Sequence, residues 1–154
     1  MLSSCMRASK VLVVDPDRAV LEMLQIRLDV AGFHPLAART GIGALEILRN
    51  MRPAALVLDA AVAEMPVFDV LTLIQRDRAH RTCPILLTGR KLAAEDVKRA
   101  ATLGVQTCMA KPYSGADLLE RVAKMLKAVK VSPAGLSCDP HRPASSSGLQ
   151  EILL

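Results

Sequence analysis

Ala-Leu-Val-Leu-Asp, residues 55 to 59, is an apolar run closed by a carboxylate, and the same pattern recurs along the chain. Asp15 ends Val-Leu-Val-Val, Thr88 ends Ile-Leu-Leu, and Lys111 follows Thr-Cys-Met-Ala. Short uninterrupted apolar runs, separated by longer stretches with helical spacing, read as strands buried on both faces of a parallel sheet. In an open α/β sheet ligands gather at the carboxyl ends of the strands, so Asp15, Asp59, Thr88 and Lys111 are expected on one rim. Two carboxylates, a hydroxyl and an ammonium suit a phosphoryl group. One carboxylate can take it, a cation site can hold its charge, and the hydroxyl and lysine can bond its oxygens.

The alternation repeats five times, which predicts an α/β fold with a doubly wound five-stranded parallel sheet. Strands are expected near 10 to 14, 34 to 38, 54 to 58, 84 to 88 and 106 to 109. Val20, Met23, Leu24 and Leu28 mark the inner face of the first helix, Ala44, Leu45 and Leu48 the second, and Phe68, Leu71 and Ile74 the third. Val97, Ala100 and Ala101 mark a shorter fourth helix, and Leu118, Val122, Met125, Leu126 and Val129 the fifth. Gly32 and Gly104 stand where the first and fourth helices should stop.

A chain of 154 residues suffices for one domain and a tail. The expected division is an N-terminal extension over 1 to 9, the domain over 10 to 130, and a flexible Ser/Pro-rich tail over 131 to 154 whose apolar end, Leu149 to Leu154, could dock. Aromatic residues are 2% of the chain, only Phe33, Phe68 and Tyr113, so stacking on a base or flat cofactor has little to use. Cys5, Cys83, Cys108 and Cys138 show neither paired metal spacing nor a dense disulfide framework, which fits a reducing cytoplasm. No signal peptide and no membrane segment are expected. Net charge is +5, and from Arg90 to Lys130 nine basic residues stand against four acidic ones. A patch of that kind suits an acidic protein partner; no motif accompanies it that would indicate nucleic acid.

The quoted runs, taken in order, make the chain resemble the receiver domain of two-component response regulators from about Lys10 to Lys127. The resemblance rests on Val-Val-Asp-Pro-Asp at 13 to 17, Ala-Gly-Phe at 31 to 33, Arg-Pro-Ala-Ala-Leu-Val-Leu-Asp at 52 to 59, Leu-Gly-Val at 103 to 105, and Lys111-Pro112-Tyr113. It implies a flavodoxin-like (βα)5 fold and a role in phosphorelay signal transduction rather than enzymatic turnover. Asp59 would be the phospho-acceptor, charged by a histidine kinase or phosphotransfer protein. Lys111 and Thr88 would bond phosphate oxygens. Asp15 and Asp59, with the backbone carbonyl of Ala61, would hold Mg²⁺, and the peptide before Pro112 would be cis.

Several residues depart from the family pattern. Pro16 stands where a second acidic residue is usual, so Mg²⁺ binding should be weak. Cys108 stands where an aromatic switch residue is usual. Strict spacing from Asp59 would put Gly89, not Thr88, at the hydroxyl position; Thr88 is retained because it ends the strand. Ungapped matching puts Ala63, Pro66 and Val67 where the family has a proline and an Asp-Gly pair. The first functional expectation is a stand-alone receiver that accepts phosphate and signals to an effector protein through its fourth and fifth helices. The second is a degenerate, phosphorylation-independent interaction module. The third is a haloacid-dehalogenase-like phosphatase opening on Asp15-Pro16-Asp17, which would leave Asp59 without a role.

Overall fold

The computed structural model describes residues 8–80 and 82–138. Five strands, β1 (Lys10–Val14), β2 (His34–Ala38), β3 (Ala55–Asp59), β4 (Ile85–Gly89) and β5 (Val105–Ala110), form one sheet in the order β2-β1-β3-β4-β5. All neighbouring pairs are parallel. The connecting helices are α1 (Arg18–Val30), α2 (Gly41–Met51), α3 (Val67–Arg76) and α4 (Ala94–Thr102), and α5 (Gly115–Cys138) closes the order.

Side chains alternate across a strand, so each apolar run serves two cores. Leu12, Val14, Leu56, Leu58, Ile85 and Leu87 face one way, against Ala44 and Leu48 of α2, Val70, Leu71 and Ile74 of α3, and Ala100 of α4. Val11, Val13, Ala55, Val57 and Leu86 face the other way, against Leu21, Leu24 and Leu28 of α1 and Leu118, Val122 and Met125 of α5. This two-sided burial is why the runs are continuous rather than alternating in sequence.

Helix ends follow from local chemistry. Asp17 is the N-cap of α1, its Oδ1 accepting the Ala19 N–H at 2.9 Å, and Thr40 caps α2 through Gly43 N–H at 2.9 Å. Replacing Asp17 with alanine is expected to cost about 1 kcal/mol in a urea melt. Gly32 and Gly104 follow their helices at φ +96° and +95°, a conformation only glycine adopts without strain, as the sequence predicts. α2 ends instead on Arg52, left-handed at φ 48°.

The structure differs from expectation in two elements. In α4 only Ala100 is buried; Ala101 is exposed and Val97 is 37% exposed. Alanines at helical spacing mark a face without enough apolar area to fix which of them turns inward. α5 continues through Cys138, so residues 131 to 138, expected as flexible tail, have helical backbone. Once nucleated, a helix gains a hydrogen bond for each residue added, and a shift in composition does not mark its end. The rest of the expected tail, 139–154, and residues 1–7 of the expected extension lie outside the described residues.

Candidate functional site

The ends of β3 and β4 and the residues just after β1 and β5 meet on one rim. The β3–β4 register sets Asp59 beside Thr88, and Thr88 Oγ1 donates to Asp59 Oδ1 at 3.0 Å. Thr88 thus brings a hydroxyl to Asp59, whereas Gly89 presents only backbone, its carbonyl accepting the Lys111 N–H at 2.8 Å. Lys111 Nζ lies 2.7 Å from Asp15 Oδ2 and 2.8 Å from Asp59 Oδ1, bridging the two carboxylates. The Lys111–Pro112 peptide is cis, as the resemblance implies.

Asp15 and Asp59 are each only 2% exposed, and such burial requires that their charges be satisfied. Backbone donors complete the job. Asp17 N–H bonds Asp15 Oδ1 at 2.8 Å, and Ala61 N–H bonds Asp59 Oδ2 at 2.9 Å. Asp17 itself spends its carboxylate on the α1 cap and does not replace the acidic group that Pro16 lacks.

Burial pushes the Lys111 ammonium down, but its hydrogen bonds to Asp15 and Asp59, together with their charges, outweigh this and hold it above 10.5. Burial also pushes the Tyr113 phenol up to about 12. Both groups hold their protons longer in the folded state. The stability they contribute is complete below their unfolded values and lost as pH rises through the folded ones. Unfolding midpoints in urea should therefore fall between about pH 10 and pH 12. Tyr113→Phe should shallow that fall, and an unchanged slope would remove Tyr113 from the account.

A cavity of about 310 Å³ opens over the site, lined by Asp59, Ala60, Ala61, Gly89, Arg90, Lys91 and Lys111. Arg90 and Lys91 were not anticipated as site residues. Their place immediately after Thr88-Gly89, at the carboxyl end of β4, is the signal that could have found them. A cavity of about 340 Å³ at the opposite edge of the sheet, between Ser9, Arg52, His80 and Cys83, contains neither carboxylate.

Comparison with known proteins decides the family. The sequence model of the response regulator receiver domain matches residues 11–123. The chain belongs to the response regulator receiver domain family. It is 36% identical over 158 residues to the response regulator MprA of Mycobacterium ulcerans, covering 94% of this chain and 66% of that protein. It is 30% identical over 112 residues to the transcriptional regulatory protein KdpE of Mycobacterium tuberculosis, covering 73% of this chain and 48% of that protein. The chain thus spans about half to 66% of the length of these curated relatives. Its fold is shared with the chemotaxis response regulator CheY4 of Vibrio cholerae (TM-score 0.72, 22% identity, 77% of this chain and 98% of that one). It is also shared with a CheY-like receiver domain protein of Methanospirillum hungatei (TM-score 0.77, 20% identity, 81% and 98%).

Membership makes this receiver domain a two-component signalling module, of a family that works with histidine kinases and effectors and generally binds Mg²⁺ in its acidic pocket. Its own donor set fits such an ion in reduced form. Asp15 and Asp59 present two carboxylates on one rim and Ala61 lines the cavity with Asp59, whereas the Pro16 side chain offers no ligand atom and Lys111 competes for both carboxylates. No helix among the described residues is long and apolar enough to cross a membrane.

Two arginines tie down the face formed by α4, β5 and α5. Arg121 of α5 donates from Nη1 to Thr107 Oγ1 at 2.8 Å, strapping the helix to β5 beside half-buried Cys108. Arg99 of α4 lies 4.2 Å over the Phe68 ring of α3. Lys98, Lys124 and Lys127 remain exposed.

Proposed function

We propose that this receiver accepts a phosphoryl group on Asp59 from a histidine kinase or phosphotransfer protein and passes the signal on by protein contact. One observation carries the reading: a buried carboxylate at the mouth of a cavity shares one oxygen with a lysine at 2.8 Å and a threonine at 3.0 Å. An Asp59 oxygen attacks phosphorus and the phosphorus–nitrogen bond of the donor phosphohistidine breaks. The electron pair leaves with the imidazole, which is protonated by solvent. Asp59 enters as a carboxylate, so no general base is required. Lys111 meets one phosphoryl oxygen as charge develops, and the Thr88 hydroxyl turns from Asp59 to donate to another.

Asp15, Asp59 and the Ala61 carbonyl would hold Mg²⁺, which when bound offsets phosphoryl charge. Binding should be weak. Pro16→Asp restores a carboxylate and should tighten Mg²⁺ by about tenfold or more in calorimetric titration; equal affinities would show that position 16 does not face the ion. The reading itself is tested by incubation with acetyl phosphate and intact-mass measurement. A single phosphoryl adduct is expected on the parent and none on Asp59→Asn.

The effector meets this receiver through an acidic face. Among the described side chains, exposed Lys98, Lys124 and Lys127 of α4 and α5 are available to an acidic partner face; the side chain of Lys130, in the same expected stretch, lies outside them. Pro16 and Cys108 favour the second reading, an interaction module that works without phosphate, and an unlabelled Asp59 would select it. A haloacid-dehalogenase-like phosphatase would account for neither the family match nor the place of Asp59.

A further inference from the structure

We infer that Arg90 is a phosphoryl-binding residue of this site, its guanidinium supplying charge that lets the pocket take a phosphoryl group without a divalent cation. The inference rests on Asp59 being the acceptor and concerns what holds the group once it arrives. Arg90 and Lys91 line the same cavity as Asp59 and Lys111. With Asp15, which pairs with Lys111, the site sets two carboxylates, Asp15 and Asp59, against three cations, Lys111, Arg90 and Lys91, a formal balance of +1. An acidic residue at position 16 would bring that balance to zero and leave the pocket dependent on a metal to accept an anion. With Pro16, a phosphoryl dianion on Asp59 brings the three cations and Asp15 to neutrality unaided. The exchange of an acid for proline and the presence of Arg90 act in the same direction.

Geometry favours Arg90 over Lys91 for this work. Arg90 also lines a second cavity of about 170 Å³ with Val20, Met23, Lys111, Pro112 and Tyr113. Its stem thus has apolar surface to lie on beside the cavity that Asp59 and Lys111 line. Among the described residues it makes no ion pair and no side-chain hydrogen bond, so nothing must break before it engages a phosphate. A guanidinium presents paired N–H donors that match two phosphoryl oxygens, where an ammonium acts as a point charge.

The test compares parent, Arg90→Ala and Lys91→Ala, labelled with acetyl phosphate in EDTA and in Mg²⁺ and followed by intact mass. An Asp59 oxygen attacks phosphorus and acetate leaves with the electron pair, so the donor is the only co-reactant. In EDTA the parent should label within about threefold of its rate in Mg²⁺ and Arg90→Ala about tenfold more slowly, a larger loss than Lys91→Ala shows. Equal rates for parent and Arg90→Ala in EDTA, or a parent that labels only with Mg²⁺, would overturn the inference. A parent that labels under neither condition defeats the acceptor reading instead. Titration with inorganic phosphate in EDTA, read from the Ala61 and Gly89 amide shifts, then decides the role of Arg90 alone. Binding weakened about fivefold or more by Arg90→Ala upholds it; equal binding, or none by the parent, overturns it.

Discussion

Lys111→Met is expected to slow phosphoryl acceptance by about a hundredfold or more, because it removes a preorganised cation from the place where charge develops. The side chain is only 12% exposed and bridges Asp15 and Asp59 at 2.7 and 2.8 Å, so its loss leaves two buried carboxylates with no cation between them. Breaking a buried ion pair from one side costs about 3–5 kcal/mol when nothing else satisfies the remaining charge. Here Thr88 and the Asp17 and Ala61 amides still donate to the carboxylates, so the expected loss is smaller, about 2 kcal/mol. Adduct formation against time and urea midpoints near neutral pH measure the two effects separately. Unchanged labelling kinetics would mean that Lys111 organises the pocket and takes no part in transfer.

The second large effect is on the fold. Leu58→Ala should destabilise by about 3–5 kcal/mol, enough to consume much of the stability of a domain this size. Leu58 is fully buried in β3, the strand that pairs with both β1 and β4, and it packs in the core beneath α2 and α3. It also directly precedes Asp59, so a collapse there would misplace the acceptor. Thermal or urea unfolding gives the number, and a loss under about 1 kcal/mol would show that this core refills the space without difficulty.

The sheet was legible because both faces of it are covered. Every strand lies within a residue of its expected bounds; β3 and β4 run one residue further because Asp59 and Gly89 still pair with their neighbours, and β5 gains a residue at each end. Asp15, Asp59 and Lys111 were legible as polar residues closing apolar runs. Thr88 needed strand position to prevail over residue counting, since spacing from Asp59 pointed to Gly89. Other features left no pattern to read. The end of α2 at Arg52 is left-handed without a glycine to announce it. The inward face of α4 reduces to one alanine, Ala100. Arg90 and Lys91 are exposed loop cations that neither periodicity nor an apolar run singles out; their place just after Thr88-Gly89 is their one mark in the sequence, and the fold sets them along the cavity that Asp59 lines.

The most direct measurement is to trap the acceptor itself. Acyl phosphates are reduced by borohydride, so protein incubated with acetyl phosphate, reduced and mapped by peptide mass should carry homoserine at position 59 and nowhere else. Homoserine at Asp15 or another carboxylate, or a peptide map identical with and without the donor, would contradict the assignment of Asp59 as the phosphoryl acceptor.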